Sequence, residues 1–207
     1  SQERCGQLIV PPTTEKEFIL PDANPTMQRA MAYLQNRRGI DREVLAAFVR
    51  RKMIYESKEH HNVVFVGYDM AGRPRHAHMR GTGGSFKGNA AGSAPEYSFH
   101  WLGQSEKIYL FEAPIDLLSY LTLHKEGWQK HSYAAACSVS DKVLFQCLRD
   151  APQLSQIFLC LDSDNAGQSA VKRIQEKLKT ENREAKLLVP THKDWNEELL
   201  HGRRVVR

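Results

Sequence analysis

Ile157-Phe158-Leu159-Cys160-Leu161-Asp162-Ser163-Asp164-Asn165-Ala166-Gly167 changes character in a single step. Its first five residues are all apolar, which fits a strand buried on both faces of a helix-covered parallel sheet. Two aspartates follow at once. Residues 166–179 then have helical texture, with Ala170, Ile174 and Leu178 on one side. Outward from this strand–turn–helix unit the same alternation recurs. Strand-like runs stand at 107–111, 132–137 and 185–189, and helical stretches at 114–124 and 140–149. Three such crossovers within ~80 residues predict a right-handed parallel sheet flanked by helices. The expected class is α/β, with a four-stranded parallel sheet in a C-terminal domain spanning 105–207.

The carboxyl ends of strands in such a sheet open onto the crevice where ligands bind. The first strand ends Leu110-Phe111-Glu112, with Asp116 four residues later in a helical turn. The third ends in Asp162 and Asp164. The fourth reaches Val189-Pro190, and Lys193-Asp194-Trp195-Asn196-Glu197 opens a short helix. Glu112, Asp116, Asp162, Asp164 and Asp194 are therefore expected on one rim. Any one could be an ordinary helix cap, but capping explains only one of Asp162 and Asp164. Crowded carboxylates raise one another's pKa unless a cation neutralises them. An all-oxygen set suits Mg²⁺ or Mn²⁺ better than zinc.

Residues 1–104 read as a small basic α+β domain, with 14 basic against 10 acidic residues; 105–207 carry 15 against 14. The chain's net charge of +5 thus sits mostly in the first half, which permits a polyanionic partner. An extended arm occupies the first twenty or so residues. Asn24-Pro25 looks like a helix start, with Met27, Ala30, Met31 and Leu34 at helical spacing and Gly39 as the stop. Asp41 is placed to cap a second helix carrying Val44, Leu45 and Phe48. Residues 63–68 and 73–80 make a hairpin about Asp69-Met70-Ala71-Gly72. Residues 81–95 read as a loop and 97–102 as one more strand. Arg73, Arg75, Arg80 and Lys87, with Tyr97, Phe99 and Trp101, are candidates for a nucleic-acid-binding surface; a solvated hairpin face over a small core is the plainer reading. Lys193 is a candidate nucleotide contact or the partner of a nearby acid.

No apolar run approaches the ~18–20 residues of a membrane span. Cys5, Cys137, Cys147 and Cys160 are too few and dispersed for a disulfide framework, so a reducing, cytoplasmic setting is expected. Cys160, inside the apolar run, reads as core. His60, His61, His76, His78 and His100 lack a cysteine or carboxylate at suitable spacing, and no structural zinc is expected. The chain begins at Ser1 rather than Met, as a fragment of a longer protein would.

Phe111-Glu112-Ala113-Pro114-Ile115-Asp116 resembles the acidic first motif of the Toprim superfamily. Leu161-Asp162-Ser163-Asp164-Asn165-Ala166-Gly167 is similar to its Asp-x-Asp motif with trailing Ala-Gly. Lys193-Asp194-Trp195-Asn196-Glu197 resembles a segment of the bacterial DNA primase branch. The resemblance covers residues 105–200. Residues 64–81, a strand, a Gly-containing turn and a strand ending at Arg80, are similar to the basic N-terminal part of the primase catalytic core. The whole most resembles primase-like Toprim proteins of conjugative plasmids and transposons. It implies Glu112 as general acid/base or metal ligand, Asp162 and Asp164 as metal ligands, and Asp116 and Asp194 as supporting acids. It further implies Mg²⁺ or Mn²⁺, a single-stranded DNA template, nucleoside triphosphates, and a helicase or other replication protein as a partner. A Toprim nuclease and a catalytically silent DNA-binding adaptor are the alternatives. Two departures stand out: Ala113 replaces the usual Gly, and Asn196 stands where cellular primases place another acid. Neither a zinc ribbon nor a helicase-docking domain is recognisable, and Cys5 stands alone.

Overall fold

The computed structural model describes residues 16–138 and 140–205, without the side chains of Arg204 and Val205. Cys5 and most of the expected N-terminal arm lie outside the described residues.

The first half begins with α1 (Gln28–Ala32), which widens into a π-turn over Tyr33–Arg37. No side chain caps its start; Asn24 instead bonds to Thr26. Gly39 ends the helix with φ +73°, a left-handed conformation suited to glycine. In α2 (Arg42–Arg50), Asp41 Oδ1 accepts from the N–H groups of Glu43 and Val44 at 2.8 and 3.1 Å, the expected cap. Val44, Leu45, Ala47 and Phe48 bury one face.

Four antiparallel strands follow in spatial order: β1 (Ile54–Glu56), β2 (Val63–Tyr68), β3 (Pro74–Arg80) and β4 (Lys87–Asn89). The hairpin of β2 and β3 is the one the sequence predicts. The stretch 81–95 is not all loop, because β4 pairs with β3 through His78–Asn89 and Arg80–Lys87. A three-residue strand containing Gly88 carries too little pattern to declare itself. Nor is 97–102 a full strand: Pro95–Tyr97 is a 3₁₀ turn, and only His100–Trp101 (β5) pairs.

β6 (Lys107–Phe111), β7 (Ser132–Ala135), β8 (Gln156–Leu159) and β9 (Ala185–Leu187) are the four expected parallel strands. Their sheet has five members in the order β5-β7-β6-β8-β9, since β5 adds antiparallel to β7. The helices are α3 (Pro114–Leu123), α4 (Lys142–Asp150), α5 (Asn165–Thr180) and α6 (Trp195–Val205).

Alternation along β6 sorts the layers. Ile108 and Leu110 pack with Ile157, Leu159, Val143, Leu144, Val171 and Ile174 under α4 and α5. Tyr109 and Phe111 face the opposite cluster, with Leu117, Leu121, Trp195 and Leu199. That cluster continues into the first half. Phe48 stacks on Phe99 at 5.2 Å and on Trp128 at 5.4 Å between ring centroids, joining both sheets through one core. Phe99 and Trp101 are therefore core residues, 0% and 3% exposed, and not a surface for bases. Among the described residues no helix is long and apolar enough to cross a membrane.

Candidate nucleotide and metal site

β7 and β8 flank β6 on opposite sides, so the crevice of the sheet opens at the carboxyl ends of β6 and β8. Glu112 immediately follows β6, and Asp162 closes the extended segment after β8. The Asp162 N–H donates to Glu112 Oε1 at 3.2 Å. Asp164 caps α5, accepting from the Gly167 N–H at 2.8 Å. Gly167 lets that helix start this close: a Cβ there would stand 2.1 Å from the Asp162 carbonyl and 2.9 Å from Glu112 Oε1.

Asp116, 8% exposed in the first turn of α3, accepts from the Asn196 N–H at 3.3 Å. Asp194 caps α6 through the Glu197 N–H at 2.8 Å. Asn196 is almost fully buried. Its Nδ2 donates to the Arg38 carbonyl at 2.8 Å and to Ser119 Oγ at 2.9 Å, and its Oδ1 accepts from Arg38 Nη1 at 3.0 Å. The residue that departs from the cellular primase pattern thus joins α6 to the first half, and a carboxylate there would lose two donated bonds.

A cavity of about 630 Å³ gathers most of the sequence candidates. One wall carries Glu112, Asp116, Asp162, Asp164 and Asp194, with Lys193 among them. The facing wall, from the antiparallel sheet and the π-turn, carries Arg38, His78, Arg80 and Lys87. Arg73 and Arg75 are not part of it. They sit at the hairpin turn, where Asp69 Oδ2 binds both, at 2.9 and 3.3 Å, and Arg75 also lies over the Tyr97 ring. Arg38 also lines the cavity; Arg38-Gly39-Ile40 lies in a stretch that resembles the primase core, but the position of Arg38 depends on the turn that aims it. His78, set aside as a zinc ligand, also lines the cavity. It is 7% exposed, and its Nδ1 sits 2.7 Å from Asn89 Oδ1.

The acidic wall is electrostatically strained. Burial, then the charges of Asp116, Glu112 and Asp194, push the Asp162 carboxyl up to about 8. Burial, then Asp194, lifts Asp116 to about 7. Glu112 is raised mainly by burial, against the opposing Asp162 N–H. Asp162 Oδ1 is buried without a hydrogen-bond partner. An orphaned carboxylate oxygen among mutually repelling acids fits a divalent cation.

Among the described residues, however, no group of three or more acids, histidines or cysteines is arranged as a ready-made metal cage. The five carboxylates share a wall, not one coordination sphere. Asp164 and Asp194 each commit an oxygen to a helix N-terminus, and Asp116 to the Asn196 N–H. That arrangement suits Mg²⁺, which is usually held by one or two carboxylates and completes its shell with water and substrate phosphate. Toprim domains generally bind Mg²⁺.

Residues 32–105 match the model of a protein family of unknown function, and residues 109–199 match a Toprim-like family. An uncharacterised Bacillus anthracis protein, pXO2-78, is 30% identical over 163 residues, 70% of this chain and 46% of that protein. The chain therefore spans about half the length of this curated relative. The primase fragment of the bacteriophage T7 primase-helicase protein is similar in structure, with a TM-score of 0.63, 22% identity, and 83% of this chain and 71% of that one covered. A DnaG primase catalytic domain bound to single-stranded DNA matches with a TM-score of 0.57, 15% identity and 88% and 72% coverage. Residues 109–199 are thus a Toprim-like domain, joined to residues 32–105 on the fold of a primase catalytic core.

Proposed function

We propose that the chain is a metal-dependent nucleic-acid enzyme that carries out primase-like nucleotidyl transfer on a single-stranded DNA template. One observation carries this reading: an acidic strand-end wall and a basic wall face each other across a single cavity. A Toprim-like domain on a primase fold is in keeping with a nucleic-acid enzyme, and the single-stranded DNA of the DnaG structure supplies the ligand class.

Phosphoryl transfer between nucleotides is chiefly a matter of positioning and charge stabilisation. Asp162 and Asp164, with Glu112, would hold Mg²⁺ or Mn²⁺, and Asp116 and Asp194 would support them as neighbouring negative charge. The ion would supply charge neutralisation at the reacting phosphate and its leaving group. Glu112 would accept the proton of the attacking 3′-hydroxyl. The new bond joins that oxygen to the α-phosphorus, the bond to the β-phosphate oxygen breaks, and pyrophosphate leaves. Arg80 and Lys87 would hold nucleic-acid phosphate and Lys193 the incoming nucleotide. Arg73 and Arg75, beyond the cavity and paired with Asp69, would contribute only to an outer stretch of template. A helicase or other replication protein is the further partner, of the kind that the T7 primase-helicase joins to its primase.

The test is an electrophoretic assay with Mg²⁺ or Mn²⁺, single-stranded template and labelled nucleotides, run beside an Asp162→Asn/Asp164→Asn variant. New oligonucleotides made only by the unaltered chain would support the proposal. A shortened template would identify a nuclease, in which water is the nucleophile. No product and no metal-dependent stabilisation would leave a DNA-binding adaptor.

A further inference from the structure

Tyr33 is 3% exposed and opens the π-turn at the end of α1, a type of irregularity frequent at functional sites. Its hydroxyl oxygen accepts two hydrogen bonds, from Arg38 Nε at 3.0 Å and from Arg80 Nε at 3.2 Å. Arg38 follows the π-turn; Arg80 ends β3, forty-seven residues from Tyr33. Two donors on one oxygen bring these Nε atoms within about 6 Å of each other.

Two guanidinium cations this close repel each other. Among the described residues neither is joined to a carboxylate, whereas Arg73 and Arg75 share Asp69 and Arg183 pairs with Glu181. Arg38 commits one further nitrogen, Nη1, to Asn196. Among the described residues the only side-chain hydrogen bond of Arg80 is the one to Tyr33, which leaves its outer nitrogens for a ligand. Both arginines line the cavity that the acidic residues share, and the charge of Arg38 is felt by Asp116. A cationic pair held by no ion-paired carboxylate and fixed by a shared hydroxyl suits an anion with several oxygens in a row.

We propose that Tyr33 is a positioning residue, which sets Arg38 and Arg80 as a twin clamp on the polyphosphate of a nucleoside triphosphate, so that Arg80 serves the incoming nucleotide beside Lys193 and template phosphate is left chiefly to Lys87. The nucleotide part rests on the function proposed above; the polyphosphate part does not. Guanidinium recognises phosphate oxygens through a rigid planar fork. The orientation of that fork, which Nε anchoring fixes, therefore decides the strength of the clamp. Tyr33 touches no ligand and contributes no charge.

The probe is inorganic tripolyphosphate, titrated calorimetrically into the full chain. Tyr33→Phe keeps both charges and the ring, yet is expected to weaken binding about tenfold, because each arginine loses a hydrogen bond. Arg80→Lys should weaken it similarly, and the double variant should lose no more than the worse single one, since both changes break the same link. Binding by Tyr33→Phe within twofold of the unaltered chain, or fully additive losses, would overturn the proposal. If Tyr33→Phe fails to fold, Arg38→Lys and Arg80→Lys are combined instead: non-additive losses support a shared anchor, and additive losses refute it. Primer synthesis distinguishes the two proposals. An active parent with an unaffected Tyr33→Phe variant removes the clamp alone. An inactive parent whose tripolyphosphate binding still depends on Tyr33 removes the primase reading alone.

Discussion

The Asp162 N–H donates to Glu112 Oε1 at 3.2 Å, so the carboxylate ending one strand is fixed by the backbone ending its neighbour. The two acids cannot be moved independently, and a negative charge on either is felt by the other.

Asp162→Asn is therefore expected to separate stability from activity. The folded-state pKa of Asp162, about 8, lies above its ordinary value of 3.8. The unfolded chain gives up this proton first, so stability is lost as pH rises from 3.8 through about 8. The metal-free variant should match the parent near pH 4 and melt ~2–4 °C higher at pH 8 and above, while activity falls at least ~10²-fold. Thermal unfolding at the two pH values, with a product assay, checks both signs.

Gly167→Ala places a Cβ 2.1 Å from the Asp162 carbonyl oxygen, and backbone must move to admit it. We expect destabilisation of about 1–3 kcal/mol and lost activity from displacement of the α5 N-terminus. Gly202, whose Cβ would meet nothing within 4 Å, supplies the control: Gly202→Ala should be neutral or slightly stabilising by denaturant unfolding.

Asn196→Ala removes a buried side chain that binds Arg38 twice and Ser119 once. The groups left behind stay buried and unpaired. The expected cost is about 2–3 kcal/mol in a urea titration. Arg38 also loses one of its two fixed positions, so tripolyphosphate binding should weaken in parallel.

His76 offers a pH test remote from the acidic wall. It is 1% exposed, its Nδ1 has no partner, and burial lowers its pKa from 6.5 to about 4. The unfolded state binds the proton first. The contribution is complete above pH 6.5 and lost as pH falls toward 4, at most ~3 kcal/mol. His76→Phe should flatten the acid limb of the stability profile, measured by urea midpoints between pH 4 and 7.

The parallel sheet was legible because β6 and β8 are apolar at consecutive positions and because Asp162 and Asp164 sit where such strands end. The acidic wall followed from topology alone. The basic wall did so only in part. Arg80 and Lys87 could be named, since the hairpin fixes where β3 ends. Tyr33 could not, and Arg38 stood only within a stretch similar to the primase core with no role of its own, because a π-turn inside a short helix leaves no periodic trace, and it is the turn that aims them. Phe99 and Trp101 looked like a base-stacking surface by their spacing beside the arginines. Which face of β5 is covered depends on Phe48 and Trp128, residues far away in sequence. Local pattern thus gave the strands and their ends, while the packing of one half on the other decided the rest.

The central claim is that acidic and basic walls serve one reaction, and template-dependent pyrophosphate release tests it most directly. With single-stranded DNA, nucleoside triphosphates and Mn²⁺ or Mg²⁺, the unaltered chain should release one pyrophosphate per phosphodiester bond formed. Asp162→Asn, on one wall, and Arg80→Ala, on the other, should each abolish that release while remaining folded. Undiminished release by either variant, or none from the unaltered chain with any template, would contradict the account.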